Sequence, residues 1–192
     1  MGSLIYAALT SLDGYIADEK GNFDWAEPKE DVHTFVNRLE LSNGTIVLGK
    51  GMYSILAVWE DFPDIDKMPE YIKEYQSAWK KAKKIVFSTT LGEVTTSRTT
   101  LRRKFEKDEL EKIKQQEPGN VGIGGASIAS QALAFGLVDE VYQFLFPIMI
   151  GSGKRWLTND LPVHFRRIES RDFLNCVVML HYKVHNRFEE RP

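Results

Sequence analysis

The stretch from Gly119 to Gly153, GNVGIGGASIASQALAFGLVDEVYQFLFPIMIGSG, constrains this chain more than any other. Val121 to Ile123 is a short apolar run that stops at Gly124-Gly125. A helix then begins among small residues, Ala126 and Ser127, and stops at Gly136. A second β-rich run, Glu140 to Ile150, follows at once. Strand, glycine turn, helix and strand form the unit from which parallel sheets with crossover helices are built. Without Cβ atoms, the paired glycines let the backbone approach a ligand closely. The first N–H groups of the helix, at its positive dipole end, favour an anion, most often a nucleotide phosphate. A tight structural turn would explain the glycine pair alone equally well. Neither G-x-G-x-x-G nor a Walker loop is present, so the reading needs support from the rest of the chain.

Two more apolar runs end in turns of similar chemistry. Gly44 to Leu48 leads into Gly49-Lys50-Gly51 and a helical turn through Leu56, joining backbone donors to a cation. Ile85 to Phe87 ends at the hydroxyls Ser88-Thr89-Thr90. Ligands of open α/β sheets bind at the carboxyl ends of strands. Three phosphate-suited turns on one edge therefore point to a long, multiply phosphorylated ligand, a dinucleotide before a mononucleotide.

The remaining segments fill in an α/β domain. Ser3 to Leu9 reads as a first buried strand, followed by turns at Asp13-Gly14 and Lys20-Gly21-Asn22 that bracket Tyr15 to Ala17. These are two surface turns or a mobile loop lying over a ligand. Pro28 to Leu41 is an amphipathic helix with Val32, Phe35, Val36 and Leu39 on one stripe, and Glu30 and Asp31 suit its dipole. Trp59 to Pro69 reads as an irregular surface loop. Glu70 to Ala82 is a helix with Ile72, Tyr75 and Trp79 on one side, and Lys80, Lys81, Lys83 and Lys84 read as its solvated end. Leu101 to Gln116 reads as an exposed, charge-paired helix. Val163 to Glu169 and Phe173 to Val184 read as an antiparallel pair, the second with Leu174, Cys176, Val178, Leu180, Tyr182 and Val184 as its apolar face.

Composition narrows the function. A net charge of −2 provides no general field for nucleic acid or an anionic membrane. Cys176 is the one cysteine, which excludes an internal disulfide and fits a reducing compartment. No apolar run is long enough to span a bilayer and no leader precedes the first strand, so a cytoplasmic location is expected. His181 and His185 would lie about 13 Å apart along a strand. That is too far to share a zinc at about 2.1 Å per ligand, so no metal is expected. The 192 residues read as a single domain.

Taken in order, TSLDGYIA (10–17), IVLGKGMY (46–53), KIVFSTTL (84–91), GIGGASIASQAL (122–133), GLVDEV (136–141) and FPIMIGSGKRWL (146–157) resemble the dihydrofolate reductase-like superfamily. The resemblance is closer to the riboflavin-biosynthesis reductase domain, the C-terminal half of a bifunctional deaminase-reductase, and its stand-alone relatives. It implies a three-layer α/β fold whose mainly parallel central sheet ends in a C-terminal antiparallel hairpin, and it implies bound NADPH. Carried over by position, Gly49, Lys50, Gly51 and Met52, with Ser88 and Thr89, would meet the 2′-phosphate end. Ile123, Gly124, Gly125, Ala126, Ser127 and Ile128 would receive the pyrophosphate, with a cis peptide expected at Gly124-Gly125. Thr10, Asp13, Gly14 and Ile16 would lie along the nicotinamide, and Glu30 and Asp13 are the candidate catalytic acids. Met52 stands where a threonine is usual and Lys50 where arginine is commoner. Phe144 stands where a folate-reducing member has the threonine partner of its acid, which disfavours folate. Lys154 and Arg155 would be available to a substrate phosphate, or form a solvated strand end.

The implied activity is hydride transfer from NADPH to a C=O or C=N carbon of a small molecule, with a ribosylaminopyrimidine phosphate as precedent. The chain lacks the H-x-E element and paired cysteines of a zinc deaminase. Rivals are a dihydrofolate reductase, a non-catalytic NADPH binder and a flavodoxin-like FMN binder. Family members often pair, so a homodimer is compatible with the sequence. Gly125→Val is expected to leave the fold intact while blocking the pyrophosphate site.

Overall fold

A computed structural model describes residues 2–158 and 162–185. The chain runs β1 (Leu4–Ser11), β2 (Tyr15–Ala17), α1 (Glu30–Leu41), β3 (Asn43–Gly49), α2 (Lys50–Leu56), α3 (Glu70–Lys81), β4 (Lys83–Phe87) and β5 (Thr99–Arg102). It continues through α4 (Lys107–Gln116), β6 (Asn120–Gly124), α5 (Ala126–Ala134), β7 (Glu140–Phe146), β8 (Lys154–Arg155), β9 (His164–Asp172) and β10 (Val178–His185). An eight-stranded sheet has the order β5-β4-β3-β6-β1-β7-β10-β9. Its pairs from β5 through β7 are parallel, and β10 with β9 closes it as an antiparallel hairpin. This is the architecture the motif order implied.

Val47, Val86 and Val121 are fully buried, as expected where helices cover a parallel sheet on both faces. On one face α4 and α5 pack Leu110, Ile113, Ala129 and Leu133 against Leu4, Tyr6, Val121 and Val141. On the other, α1 places Val32 with Phe144, Phe146 and Met179, while Trp79 of α3 packs with Ile46, Leu48 and Val86.

Several boundaries differ from the sequence expectation. Helix α1 begins at Glu30, because Lys29 takes the extended dihedrals of an N-cap (φ −75°, ψ 170°), leaving Pro28 outside. Strand β7 stops at Phe146, before Pro147, which has no N–H for a ladder bond. Leu101 belongs to β5, and the charged helix starts only at Lys107. Trp59 lies in a helical turn, Ala57–Glu60, with its ring stacked on Phe62 at 4.7 Å. Lys84 is not part of a solvated helix end. It is buried, donates to Trp79 O at 2.7 Å and Ala82 O at 3.2 Å, and lies 4.7 Å from the Trp79 ring centre. A cation suits carbonyls left open at the end of α3, and the indole face adds a second attraction.

The last strand is out of phase with its expected face. Leu174 and Cys176 sit in a tight turn in which Asn175 and Cys176 adopt left-handed dihedrals, and both Leu174 and Cys176 are exposed. Burial falls on Val177, Met179 and His181, and past the register shift between His181 and Tyr182 it returns to an expected position, Val184. His181 stacks on Tyr142 at 3.9 Å and its Nε2 lies 2.8 Å from Glu140 Oε2.

His33 carries a pH dependence. It is buried between α1 and α3 among Trp59, Tyr71 and Tyr75, with Nδ1 3.0 Å from Asn37 Oδ1. Desolvation holds its pKa below the ordinary 6.5. The folded state therefore keeps a neutral imidazole at pH values where the unfolded chain has taken up a proton. Stability is fully present above the unfolded value and falls as pH drops through about 6.5. Urea midpoints compared at neutral pH and about pH 5.5 should show this decline, and His33→Gln should make it shallower. An unchanged slope in the variant would remove His33 as its source.

Candidate functional site

The carboxyl ends of β4, β3 and β6 lie side by side. Gly49 is in register with Phe87, and Leu48 with Gly124. The turns that follow these ends therefore meet at one edge, as three separate stretches of sequence implied. Their contact is direct: Lys50 Nζ donates to Thr90 Oγ1 at 3.1 Å. Gly49 backs onto Ile128 of α5, since a Cβ built there would lie 3.7 Å from that side chain. No side chain caps either α2 or α5. The first N–H groups of the nine-residue α5 are thus left for solvent or an anion.

Gly124 and Gly125 serve different ends. A Cβ on Gly124 would lie 2.8 Å from Leu48 Cδ2 and 3.1 Å from Met52 Cγ, so this glycine permits close packing. Gly125 adopts φ +109° and ψ 121°, a conformation that L residues avoid. Among the described residues there is no cis peptide bond, so the one expected between these glycines is absent and the turn is made by the Gly125 dihedrals. Ile123, Ala126 and Ile128 are buried and hold the turn from below, whereas Ser127 is exposed. Met52 is half-buried between the two glycine turns, an apolar spacer that offers no hydroxyl.

On the other side of α5, the segments after β1 and β7 are knitted into a single flap. Leu12 N donates to Ile148 O at 2.8 Å, and Trp156 N to Gly14 O at 3.2 Å. Tyr15 and Ala17 of β2 pair with Arg155 and Lys154 of β8, and the Arg155 guanidinium lies 5.1 Å from the Tyr15 ring centre. The segment after β1 is thus tied down, and Lys154 and Arg155 belong to a strand. Asp13 is the clasp. It accepts from Ser11 Oγ at 2.6 Å, Gly151 N at 2.8 Å and Ile150 N at 3.3 Å. The Ser11 hydroxyl, with those two amides, holds its carboxyl below the usual carboxylate range. Asp13→Asn should therefore speed amide exchange at one of the two amides, Ile150 or Gly151, because the carboxamide keeps one accepting oxygen while its NH2 cannot accept a bond. Unchanged exchange at both amides would show that the flap holds without this carboxylate.

The other expected residues spread out. Thr10 is fully buried and accepts from Gln143 Nε2 at 3.1 Å, while Gly14 lies under the Trp156 ring and Ile16 packs into the core on the α5 side. Ser88 Oγ accepts from Thr90 N and Leu91 N, shaping its own turn, and Thr89 is exposed. Glu30 is exposed beside a cleft of about 620 Å³ whose lining includes Thr34, Phe35, Arg38, Arg171 and Phe173. Phe144 is far from polar: it is fully buried, with the rings of Phe35 and Phe173 against it at 5.9 and 6.1 Å.

Two residues escaped the sequence analysis. Arg103 Nη1 donates to Ser88 O at 3.1 Å and also to Leu91 O, and Nη2 to Gly92 O at 3.2 Å. The Tyr53 hydroxyl accepts from Thr95 N at 2.8 Å and Thr96 N at 3.3 Å, anchoring the next part of the same loop. An arginine pair at the end of a strand and an aromatic in the first turns of α2 were the available signals, and neither says what it will reach.

Fold and site together define a dihydrofolate reductase-like α/β protein with an anion-suited edge. Within that class, the chain belongs to the RibD C-terminal domain family, which it matches over residues 3–179. It is 25% identical over 183 residues to YyaP, an uncharacterized protein of Bacillus subtilis (strain 168), covering 93% of each chain. Its fold is similar to that of a candidate riboflavin biosynthesis protein from Shewanella sp. PV-4, with TM-score 0.76, 23% identity and 95% and 99% of the two chains covered. It is also similar to dihydrofolate reductase from Enterococcus faecalis, solved with NADP(H), with TM-score 0.68, 13% identity and coverage of 95% and 96%. A third similar structure is the diaminohydroxyphosphoribosylaminopyrimidine deaminase/5-amino-6-(5-phosphoribosylamino)uracil reductase of Thermotoga maritima. There the TM-score is 0.64 at 16% identity, over 96% of this chain and 57% of that one.

Proposed function

We propose that this protein is an NADPH-dependent reductase acting on a C=O or C=N carbon of a small molecule, a ribosylaminopyrimidine phosphate being the nearest precedent. The observation that carries this reading is the Lys50–Thr90 contact, which joins two of the strand-end turns beside the uncapped start of α5. A cation, a set of hydroxyls and free backbone donors on one edge fit a ligand with phosphates at two places. The T. maritima structure supports the substrate class, since its name includes a reductase of 5-amino-6-(5-phosphoribosylamino)uracil.

The residues divide the work. Lys50, with Ser88, Thr89 and Thr90, would hold the 2′-phosphate end, and the amides that open α5 would hold the pyrophosphate. The flap residues Gly14 and Ile16 would border the nicotinamide, with Asp13 keeping the flap in place. An ionised carboxylate already engaged in three hydrogen bonds orients the loop and has no proton to give at neutral pH. Of the two candidate acids, that leaves Glu30, exposed at the start of α1, to handle a proton. The coenzyme, when bound, supplies the hydride. In this reading the protein serves a small-molecule substrate in the cytoplasm, without nucleic acid or membrane, and a homodimer is compatible with it. Among the described residues, no helix is long and apolar enough to cross a membrane.

The test is a fluorescence titration with NADPH, followed by its oxidation with the ribosylaminopyrimidine phosphate and with dihydrofolate. Binding and turnover with the first substrate are expected, and none with the second, because Phe144 offers the folate acid no hydroxyl. Protein that fails to bind NADPH would end the proposal. Binding without turnover across a panel of carbonyls and imines would leave a non-catalytic coenzyme binder, and a yellow preparation would point to FMN.

A further inference from the structure

We infer that Arg103 is a positioning residue that makes this site prefer a 2′-phosphorylated coenzyme over its unphosphorylated counterpart. The inference rests on the proposed function and concerns how the 2′-phosphate end is built. Phe87 and Arg102 are in register on β4 and β5, so Arg103 emerges directly beside the turn that follows Phe87. One planar guanidinium then bonds the carbonyls of Ser88, Leu91 and Gly92, both ends of a five-residue turn. Inside the turn, Ser88 Oγ receives the amides of Thr90 and Leu91. The result places Thr90 Oγ1 where Lys50 Nζ reaches it.

Arg103 differs from its neighbour in charge balance. Arg102 is paired with Glu109, whereas Arg103 has no carboxylate partner among the described residues. Its positive charge is therefore not cancelled locally. Fork geometry shapes the turn, and the open charge raises the potential beside it. Both effects favour a phosphate dianion and neither helps a ribose hydroxyl. A lysine could keep the charge but could not bridge three carbonyls in one plane.

Calorimetric titration of the whole chain with NADPH, NADH, 2′,5′-ADP and 5′-ADP tests this. Wild-type protein should bind NADPH and 2′,5′-ADP more tightly than the partners that lack the 2′-phosphate. Arg103→Ala should lose about tenfold toward NADPH and 2′,5′-ADP, as expected for about 1.4 kcal/mol, with NADH and 5′-ADP unchanged. Arg103→Lys should fall between. Equal losses toward all four ligands, or no loss, would overturn the inference. Should Arg103→Ala fail to show a cooperative melt, Arg103→Lys decides: a loss confined to the 2′-phosphorylated pair supports the inference, and any other pattern overturns it. A wild-type chain that binds none of the four overturns the proposed function and this inference together. Tight wild-type NADPH binding with indifferent variants overturns this inference alone.

Discussion

Gly125→Val should both destabilise the protein and abolish tight NADPH binding. Its φ of +109° lies where a β-branched residue meets severe steric conflict with its own backbone. Holding a non-glycine residue in such a region costs about 1–3 kcal/mol, and the chain can avoid that only by reshaping the turn. Space for the Cβ is not the problem. A Cβ at this position would sit 3.6 Å from Met52 Cβ and 3.7 Å from Gly49 N, both ordinary contacts. The expectation that valine would leave the fold intact is therefore corrected by the dihedral. Reshaping the turn would rotate the first amides of α5 away from the anion they are proposed to hold. Urea unfolding and NADPH titration of the variant measure the two effects separately. A variant with wild-type midpoint and affinity would show that this backbone geometry carries neither stability nor binding.

Phe144→Ala should be the most damaging single truncation in the core beside α1. The ring is fully buried in the centre of β7, between β1 and β10, and packs edge-on or tilted against Phe35 and Phe173. Removing a buried phenylalanine costs about 3–5 kcal/mol when the surroundings cannot collapse. Strands on both sides of β7 leave little freedom for that collapse. Phe144→Thr, which restores the threonine of folate-reducing members, should cost nearly as much and should not produce dihydrofolate turnover. Its hydroxyl would enter an apolar cluster of Val32, Phe35, Phe146 and Met179. A shift in urea midpoint equivalent to less than about 1 kcal/mol for Phe144→Ala would mean that the cluster repacks freely.

These positions show how unevenly the chain announces itself. The three strand-end turns could be read directly, because each is an apolar run broken by glycines or hydroxyls within a few residues. Their convergence also followed, since parallel strands joined by crossover helices place their carboxyl ends on one edge. The phase of the last strand could not be read the same way. Leu174, Cys176, Val178 and Leu180 alternate perfectly in sequence, yet the left-handed pair Asn175-Cys176 breaks the strand and gives the buried positions to Val177 and Met179. Lys84 likewise reads as one of a solvated lysine cluster, and only the fold of β4 beneath Trp79 draws it inside.

What the sequence determined by itself was the order of elements and the chemistry of each turn, because those depend on dihedral preference and polarity over short spans of chain. The tertiary structure alone decided which of those groups touch: Lys50 with Thr90, Arg103 with three carbonyls, and Asp13 with Ile150 and Gly151. The Lys50 and Asp13 bonds close long loops of chain, and all of these contacts depend on strand registers that no short segment encodes.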